Sequence, residues 1–314
     1  MRKGRVLVTG GRGLVGVPLV RRLLESGLQV TVLDDGSCAS RLALMDVPGI
    51  RWVKGDVRNR VDLAGLGAGP WSAVYHLAAR ASVPASVQDP RLDFAVNAGG
   101  TLELLEWARE AGVERFVYPS TVAVYDRGAA LPLKETSPVG PSSPYGASKL
   151  AGEGLVLAWG RTYGLEVVVL RLFNVYGPGM AKYVIHDLVR KLQRNPWDLE
   201  ILGNGEQVRD YVHVQDAVSA FILAAGSAPS GSILNLGSGE PVRIGDLADA
   251  IIKAMGLQDV RKRFTGQSWA GDIDAWYADN TRLKGLGWKP EVSLRHGLQE
   301  AVAWLMDHPN SQEE

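Results

Sequence analysis

A short apolar strand running directly into a glycine turn constrains this chain more than any other feature. Arg5-Val6-Leu7-Val8-Thr9 is followed by Gly10-Gly11-Arg12-Gly13-Leu14-Val15-Gly16, the pattern G-x-x-G-x-x-G. A helix is predicted from Val17 to Glu25, with Leu19, Val20, Leu23 and Leu24 on one face, and a second apolar strand over Gln29–Asp34. Glycines let a backbone approach a pyrophosphate closely, and a helix start offers free N–H donors and the positive end of the helix dipole. A carboxylate closing the second strand can accept hydrogen bonds from a ribose. The unit therefore reads as a dinucleotide site, with Gly10, Gly13, Leu14 and Val15 in the turn and Asp34 and Asp35 at the ribose end.

The same alternation continues through the first half. Strands are predicted at Arg51–Lys54, Ala73–Leu77, Glu114–Tyr118 and Glu166–Leu172, and helices at Arg91–Ala111 and Ser148–Tyr163. Val74-Tyr75-His76-Leu77 and Val167-Val168-Val169-Leu170 are apolar without alternation, as expected of parallel strands covered on both faces. The fold class is α/β: a doubly wound parallel sheet, Rossmann-like, with ligands at the carboxyl ends of its strands. The second half is punctuated by glycine pairs such as Gly237-Ser238-Gly239, with helices predicted at Tyr183–Arg194, Val214–Ala225, Ile244–Met255 and Ser293–Asp307. We expect residues 1–173, joined by parts of 210–236, to form the dinucleotide-binding domain, and 174–314 to form a smaller substrate lobe. A length of 314 residues is ample for both.

Composition narrows the partners. Lys plus Arg number 34 and Asp plus Glu number 34, so the net charge is zero and nothing points to nucleic acid or to an acidic membrane. No signal peptide and no run of about 18 apolar residues is read, so no span is expected. The single cysteine, Cys38, excludes an internal disulfide framework and fits a reducing cytoplasm.

The chemistry concentrates in Tyr145-Gly146-Ala147-Ser148-Lys149, preceded by Ser120-Thr121. Tyr145 and Lys149 are four apart and share a helix face. A nearby cation lowers a phenol's pKa, so Tyr145 is expected to exchange a proton with a substrate hydroxyl near neutral pH. Lys149 would also reach a nicotinamide ribose, and Thr121 or Ser120 would bond the same substrate oxygen. The five histidines are scattered without metal-ligand spacing, so no metal is expected. His76 and His213 read as structural.

With these motifs in order the chain resembles the nucleotide-sugar epimerase/dehydratase family of extended short-chain dehydrogenases/reductases. The likeness runs through Thr9–Gly16, Gly55-Asp56-Val57, His76-Leu77-Ala78-Ala79, Asn97, Tyr145/Lys149 and Arg171–Pro178. It continues through Gln207–Val214, Asn235–Gly239, Gly271-Asp272 and Ala278-Asp279. The resemblance implies NAD as cofactor. Asp56 and Val57 would flank the adenine, and Leu77, Ala78, Ala79 and Asn97 would line the cofactor groove. Asn174, Arg209, Trp269, Asp272 and Trp276 would meet a nucleotide sugar. It also implies a homodimer through helices 91–111 and 148–163.

Departures from the family pattern shape the expected reaction. Arg12 stands where a small residue is common and would suit a 2′-phosphate. Asp34 would repel that phosphate, and NAD is expected over NADP. Trp269 replaces an arginine that grips the diphosphate in relatives, and Asp126 replaces a glycine. Dehydratase relatives carry Asp-Glu after the active-site threonine, and decarboxylating relatives keep a glutamate at the position of Ala123; this chain has Val122-Ala123. Without an extra carboxylate, a transient 4-ketone would take its hydride back on the other face. The expectation is 4-epimerisation of UDP-glucose and UDP-galactose or a close pair. A UDP-glucuronate epimerase, a 4-keto-sugar reductase and a non-catalytic NAD-binding regulator are the alternatives.

Overall fold

The computed structural model describes residues 4–37, 48–267 and 273–308. Its strands are β1 (Arg5–Thr9), β2 (Gln29–Asp34), β3 (Ile50–Lys54), β4 (Ala73–His76), β5 (Arg115–Thr121), β6 (Glu166–Leu172), β7 (Asn174–Tyr176), β8 (Asp198–Ile201), β9 (Val208–His213), β10 (Ser232–Leu236), β11 (Pro241–Arg243) and β12 (Arg261–Phe264). The helices are α1 (Gly16–Glu25), α2 (Arg60–Ala64), α3 (Val83–Gln88), α4 (Pro90–Phe94), α5 (Gly100–Glu110), α6 (Pro144–Tyr163), α7 (Tyr183–Arg194), α8 (Val214–Ser227), α9 (Ile244–Ala254), α10 (Thr281–Gly285) and α11 (Leu294–Asp307).

Seven strands form one sheet in the order β3-β2-β1-β4-β5-β6-β10. Every pairing in it is parallel. The uninterrupted apolar runs of β1, β4 and β6 are buried because helices cover both faces. On one face α1 and α8 pack Leu19, Val20, Leu23, Ala217 and Phe221 against Val6, Val8 and Val30. On the other, α5 and α6 bring Leu104, Leu105 and Val156 onto Leu7, Val74 and Phe116. Each Val, Leu or Phe among them, fully buried, contributes roughly 1.5–3 kcal/mol.

Strand order reverses between β1 and β4, which opens a crevice at their carboxyl ends. Short sheets carry the remainder, β11-β9-β7 and β12-β8. A separate apolar cluster built on α7, α9 and α11 supports them.

Two elements differ from their expected bounds in ways that matter for the site. The predicted helix 91–111 is three pieces: α4, a wide π-turn over Ala95–Gly99, and α5. The predicted helix 148–163 begins earlier, at Pro144, because the Ser143 hydroxyl accepts from the Gly146 amide and proline fits the first helical position. Tyr145 thereby enters the first turn of α6.

Candidate active site

At the crevice the backbone does most of the work. Gly10 has φ 66°. A Cβ there would lie 2.6 Å from the amide nitrogen of Ala78, so the turn after β1 touches the chain leaving β4 only because that side chain is missing. Thr9 ties the same two ends: its carbonyl accepts from the Leu77 amide at 3.0 Å and its hydroxyl from the Ala78 amide at 3.2 Å. No side chain caps the start of α1; the Val17 and Leu19 amides donate to the Gly13 and Val15 carbonyls, each at 3.1 Å, and Pro18 has no N–H. Leu14 packs on the cluster of α7, α9 and α11 and Val15 on the sheet core, while Gly13 lies between them and Gly10, its amide donating to the Gly10 carbonyl at 3.1 Å.

Asp34 ends β2 with both carboxylate oxygens fixed by flanking amides, Arg12 N–H at 2.9 Å and Gly36 N–H at 2.8 Å. Asp35 accepts from the amide and hydroxyl of Ser37. Asp56 is half-exposed and forked by the Arg58 guanidinium at 3.0 and 2.9 Å, which holds its carboxyl below the usual range. Val57 is buried beneath it, and Ala78 and Ala79 are half-buried. A glycine cradle that a Cβ would fill, an uncapped helix start and a fixed strand-end carboxylate together fit a dinucleotide.

The second cluster sits at the end of β5. Ser120 and Thr121 close that strand, 3% and 7% exposed. Thr121 accepts from the Ala123 amide at 3.2 Å and hydrogen-bonds the Tyr145 phenol. The Ser120 hydroxyl is buried without a partner. Tyr145 is anchored by its own amide, which donates to Ser86 Oγ at 3.1 Å. Lys149 lies one turn further along α6, 3% exposed, with Nζ 4.3 Å from the centre of the Tyr118 ring. The Tyr118 hydroxyl donates to the Lys149 carbonyl at 3.3 Å, and Gly152 makes room for it, since a Cβ there would stand 2.0 Å from that oxygen.

The electrostatics correct one expectation. Lys149 does not lower the Tyr145 pKa here. Burial raises it, with Tyr183 adding to the effect and Thr121 opposing it. The lysine is itself desolvated: burial pushes it down to about 7, against the upward pull of Glu153 and Asp93. Its ammonium is directed at the face of Tyr118.

Asn97 is committed to the protein. It occupies the π-turn, 1% exposed. Its side chain accepts from the Arg80 amide at 2.9 Å and donates to the Arg80 carbonyl at 3.3 Å and to Ser148 Oγ at 3.0 Å. His76 bridges two threonines, Nδ1 to Thr9 Oγ1 at 2.8 Å and Nε2 to Thr101 Oγ1 at 3.0 Å, and burial pushes its pKa down to about 3. His213 accepts from the Gln215 amide at the start of α8 and faces Glu300 at 3.3 Å. Among the described residues no group of three or more acidic, histidine or cysteine side chains is arranged to hold a metal.

Across the crevice, Asn174 donates to the Asp210 carbonyl at 2.8 Å. Arg209 is 8% exposed, and its guanidinium carbon stands 4.5 Å from the Trp276 ring centre. Trp276 packs on Val122, Val124 and Tyr125, the segment that follows Thr121, and its Nε1 is buried without a partner. Asp210 accepts from the Ser238 amide and hydroxyl and from the amides of Gly239 and Ala278. Trp269 and Asp272, like Cys38, lie outside the described residues. Sequence reasoning missed Tyr118 and Asp93. Tyr118 sits in an apolar strand and gave no signal, whereas Ser148 stood inside the Tyr145–Lys149 run.

No helix among the described residues is long and apolar enough to cross a membrane. The sequence pattern described as the NAD dependent epimerase/dehydratase family matches residues 6–237. UDP-glucose 4-epimerase of Mycolicibacterium smegmatis is 37% identical over 311 residues, covering 96% of this chain and 98% of the relative. The solved UDP-N-acetylglucosamine 4-epimerase of Methanobrevibacter ruminantium superposes with TM-score 0.91 at 29% identity, covering 98% of this chain and 100% of the other. DesIV, a dTDP-glucose 4,6-dehydratase of Streptomyces venezuelae solved with NAD bound, gives 0.89 at 32% identity over 98% and 99% of the two chains. With NAD as its cofactor, the chain belongs to the NAD-dependent epimerase/dehydratase family.

Proposed function

We propose that this protein is a nucleotide-sugar 4-epimerase, an isomerase of the EC 5.1.3 type, that interconverts UDP-glucose and UDP-galactose. One observation carries the choice among the family's reactions. The strand that ends at Thr121 passes into Val122-Ala123-Val124, a short apolar turn, so no carboxylate follows the threonine to expel water or assist loss of carbon dioxide. What is left to this corner is proton exchange on one oxygen while a hydride leaves and returns at the carbon that bears it.

In this reading Gly10, Gly13, Leu14 and Val15 hold the pyrophosphate of NAD, and Asp34 and Asp35 its adenosine ribose. Asp56 and Val57 flank the adenine, and Leu77, Ala78, Ala79 and Asn97 line or support the groove. When bound, NAD supplies a hydride acceptor and, on return, a hydride donor. Tyr145 takes the proton of the sugar 4-hydroxyl and gives it back to the same oxygen. Thr121 and Ser120 orient that oxygen, and the unpartnered Ser120 hydroxyl has a hydrogen bond to give. Lys149 supplies positive charge when protonated. In the structure burial holds Tyr145 as a neutral phenol, so its deprotonation requires a cation beside it.

Asn174, Arg209, Trp269, Asp272 and Trp276 are assigned to the nucleotide sugar. Trp276 would fill the space beside C2 of the hexose, which favours a plain hexose over its N-acetyl counterpart. Trp276→Ala should therefore raise activity on the N-acetyl sugar more than on the hexose; equal effects would sink the steric reading. We divide the chain into a dinucleotide domain of 1–173 with parts of 210–236 and a substrate lobe of 174–314. We further propose a cytoplasmic homodimer. An apolar depression of about 420 Å³ between α5 and α6, lined by Phe94, Ala98, Leu102, Ala151 and Leu155, supports the dimer.

The deciding experiment is incubation with UDP-, dTDP-, CDP- and GDP-hexoses followed by product separation. Two interconverting epimers without net consumption of NAD are expected. A dehydrated product, net oxidation or reduction, or a thermal shift with NAD and no product would each reject the epimerase reading.

A further inference from the structure

Behind the proton-transfer corner lies a buried carboxylate that the reading above leaves without a role. Asp93, in α4, is 0% exposed. Its Oδ2 accepts a 2.6 Å hydrogen bond from Ser148 Oγ, and its Oδ1 is buried without a hydrogen-bond partner. Ser148 stands between Tyr145 and Lys149 on α6, 3.0 Å from the Tyr145 carbonyl oxygen, and accepts from Asn97 at 3.0 Å. A continuous chain therefore runs from the Arg80 backbone through Asn97 and Ser148 to Asp93.

A carboxylate removed from water needs a counter-charge. Three groups face this one: Arg80 from the loop after β4, and Tyr145 and Lys149 from α6. Lys149 in turn faces Asp93, Glu153, the neutral ring of His76 and the face of Tyr118. Glu153 is already engaged, since its two oxygens accept from Arg171 at 3.0 and 2.8 Å. Asp93 has only neutral partners, the Ser148 hydroxyl on one oxygen and the Asn97 side chain beside it.

We propose that Asp93 is a positioning residue: through Ser148 it fixes the turn of α6 that presents Tyr145, and its buried carboxylate is, beside Glu153, a counter-charge against which Lys149 works. The inference rests on the assignment of Tyr145 and Lys149 made above. The electrostatics agree with it, because burial drives Asp93 up and Lys149 down while each opposes the other's shift.

Asp93→Asn tests it, since the amide keeps an oxygen for Ser148 and removes the charge. The first readout is the titration of Lys149 by lysine ¹⁵N NMR, with the signal identified by its loss in Lys149→Met. The Lys149 midpoint should fall by about one pH unit in Asp93→Asn, the size expected for removal of one nearby opposite charge. The kcat profile for sugar interconversion should lose its alkaline limb at correspondingly lower pH, a loss of roughly tenfold above the parent's midpoint that shrinks in acid. Asp93→Ser carries the same expectation if the asparagine variant does not fold. In the parent, the Asp93 carboxyl carbon should report the Lys149 titration near pH 7. An unmoved Lys149 midpoint in a folded variant, or a uniform loss of kcat at every pH, would overturn the proposal. Tyr145→Phe run in parallel separates the two readings. Parent-like turnover there rejects the catalytic assignment itself, whereas an inactive Tyr145→Phe with an unmoved Lys149 midpoint in Asp93→Asn rejects only the role of Asp93.

Discussion

The turn after β1 and the corner after β5 both lie at carboxyl ends of parallel strands in one sheet, yet they are made of different material. The first is backbone: a missing Cβ at Gly10, amides on Asp34, and a helix start without a cap. The second is side chain: Lys149 and Ser120 packed out of water with the half-buried Tyr145 beside them, and burial deciding who holds a proton. The first region should therefore fail by collision at any pH. The second should tolerate small changes of shape and respond to charge.

The sharpest way to test this contrast is Tyr145→Phe, which removes one oxygen. Turnover should fall on the order of 10²–10⁴-fold, the usual worth of a positioned acid/base, with circular dichroism and melting temperature unchanged. Parent-like turnover would remove the corner's claim to the chemistry. Gly10→Ala adds one carbon to the other region, 2.6 Å from the Ala78 amide nitrogen and at φ 66°. It should lower unfolding free energy by about 1–3 kcal/mol and weaken NAD binding, to the same extent at pH 6 and pH 9. Urea unfolding at the parent's midpoint would break the contrast from its steric side.

Next comes Lys149→Met. Burial lowers the lysine from its ordinary value to about 7, so from there up to the unfolded value the unfolded chain binds more protons than the folded one. Parent stability then rises with pH through that window, by up to about 1.4 kcal/mol per unit from this group. The methionine variant should gain most over the parent at and below pH 7, and the gain should shrink as pH rises towards 10. A gain independent of pH would mean that Lys149 is not held as described. The narrowest test window belongs to His76, lowered to about 3. Below pH 6.5 the unfolded histidine takes a proton that the folded one refuses, so the parent should lose stability on acidification. His76→Gln should show a flatter melting temperature between pH 6.5 and 4.5; equal slopes would discount this histidine.

How much of this was legible in the sequence follows the same division. The glycine spacing, the apolar strands and Asp34 could be read because backbone requirements are local. The pair Tyr145 and Lys149 could be read because it follows a dinucleotide turn and the strand-end Ser120-Thr121; spacing alone is too common to single it out. Even the true start of α6 was written in Ser143-Pro144, a cap followed by proline. The protonation states could not be read. They depend on Tyr118, 31 residues from Lys149, and on Asp93, 55 residues from Ser148, and burial is a property of the assembled core. Reading a cation beside Tyr145 from the sequence gave the wrong direction because it omitted the burial of the phenol itself, which disfavours its charged form.

One feature bears on attempts to redesign this protein. A single carboxylate, Asp210, receives the amides of residues 238, 239 and 278 together with the Ser238 hydroxyl. The stretch that carries Trp276 is therefore no detachable cassette. A segment transplanted from a relative would have to return an amide at position 278 in register with that carboxylate, or strand a buried charge. Altering substrate choice here is a matter of single side chains on a retained backbone, and loop exchange is the wrong instrument.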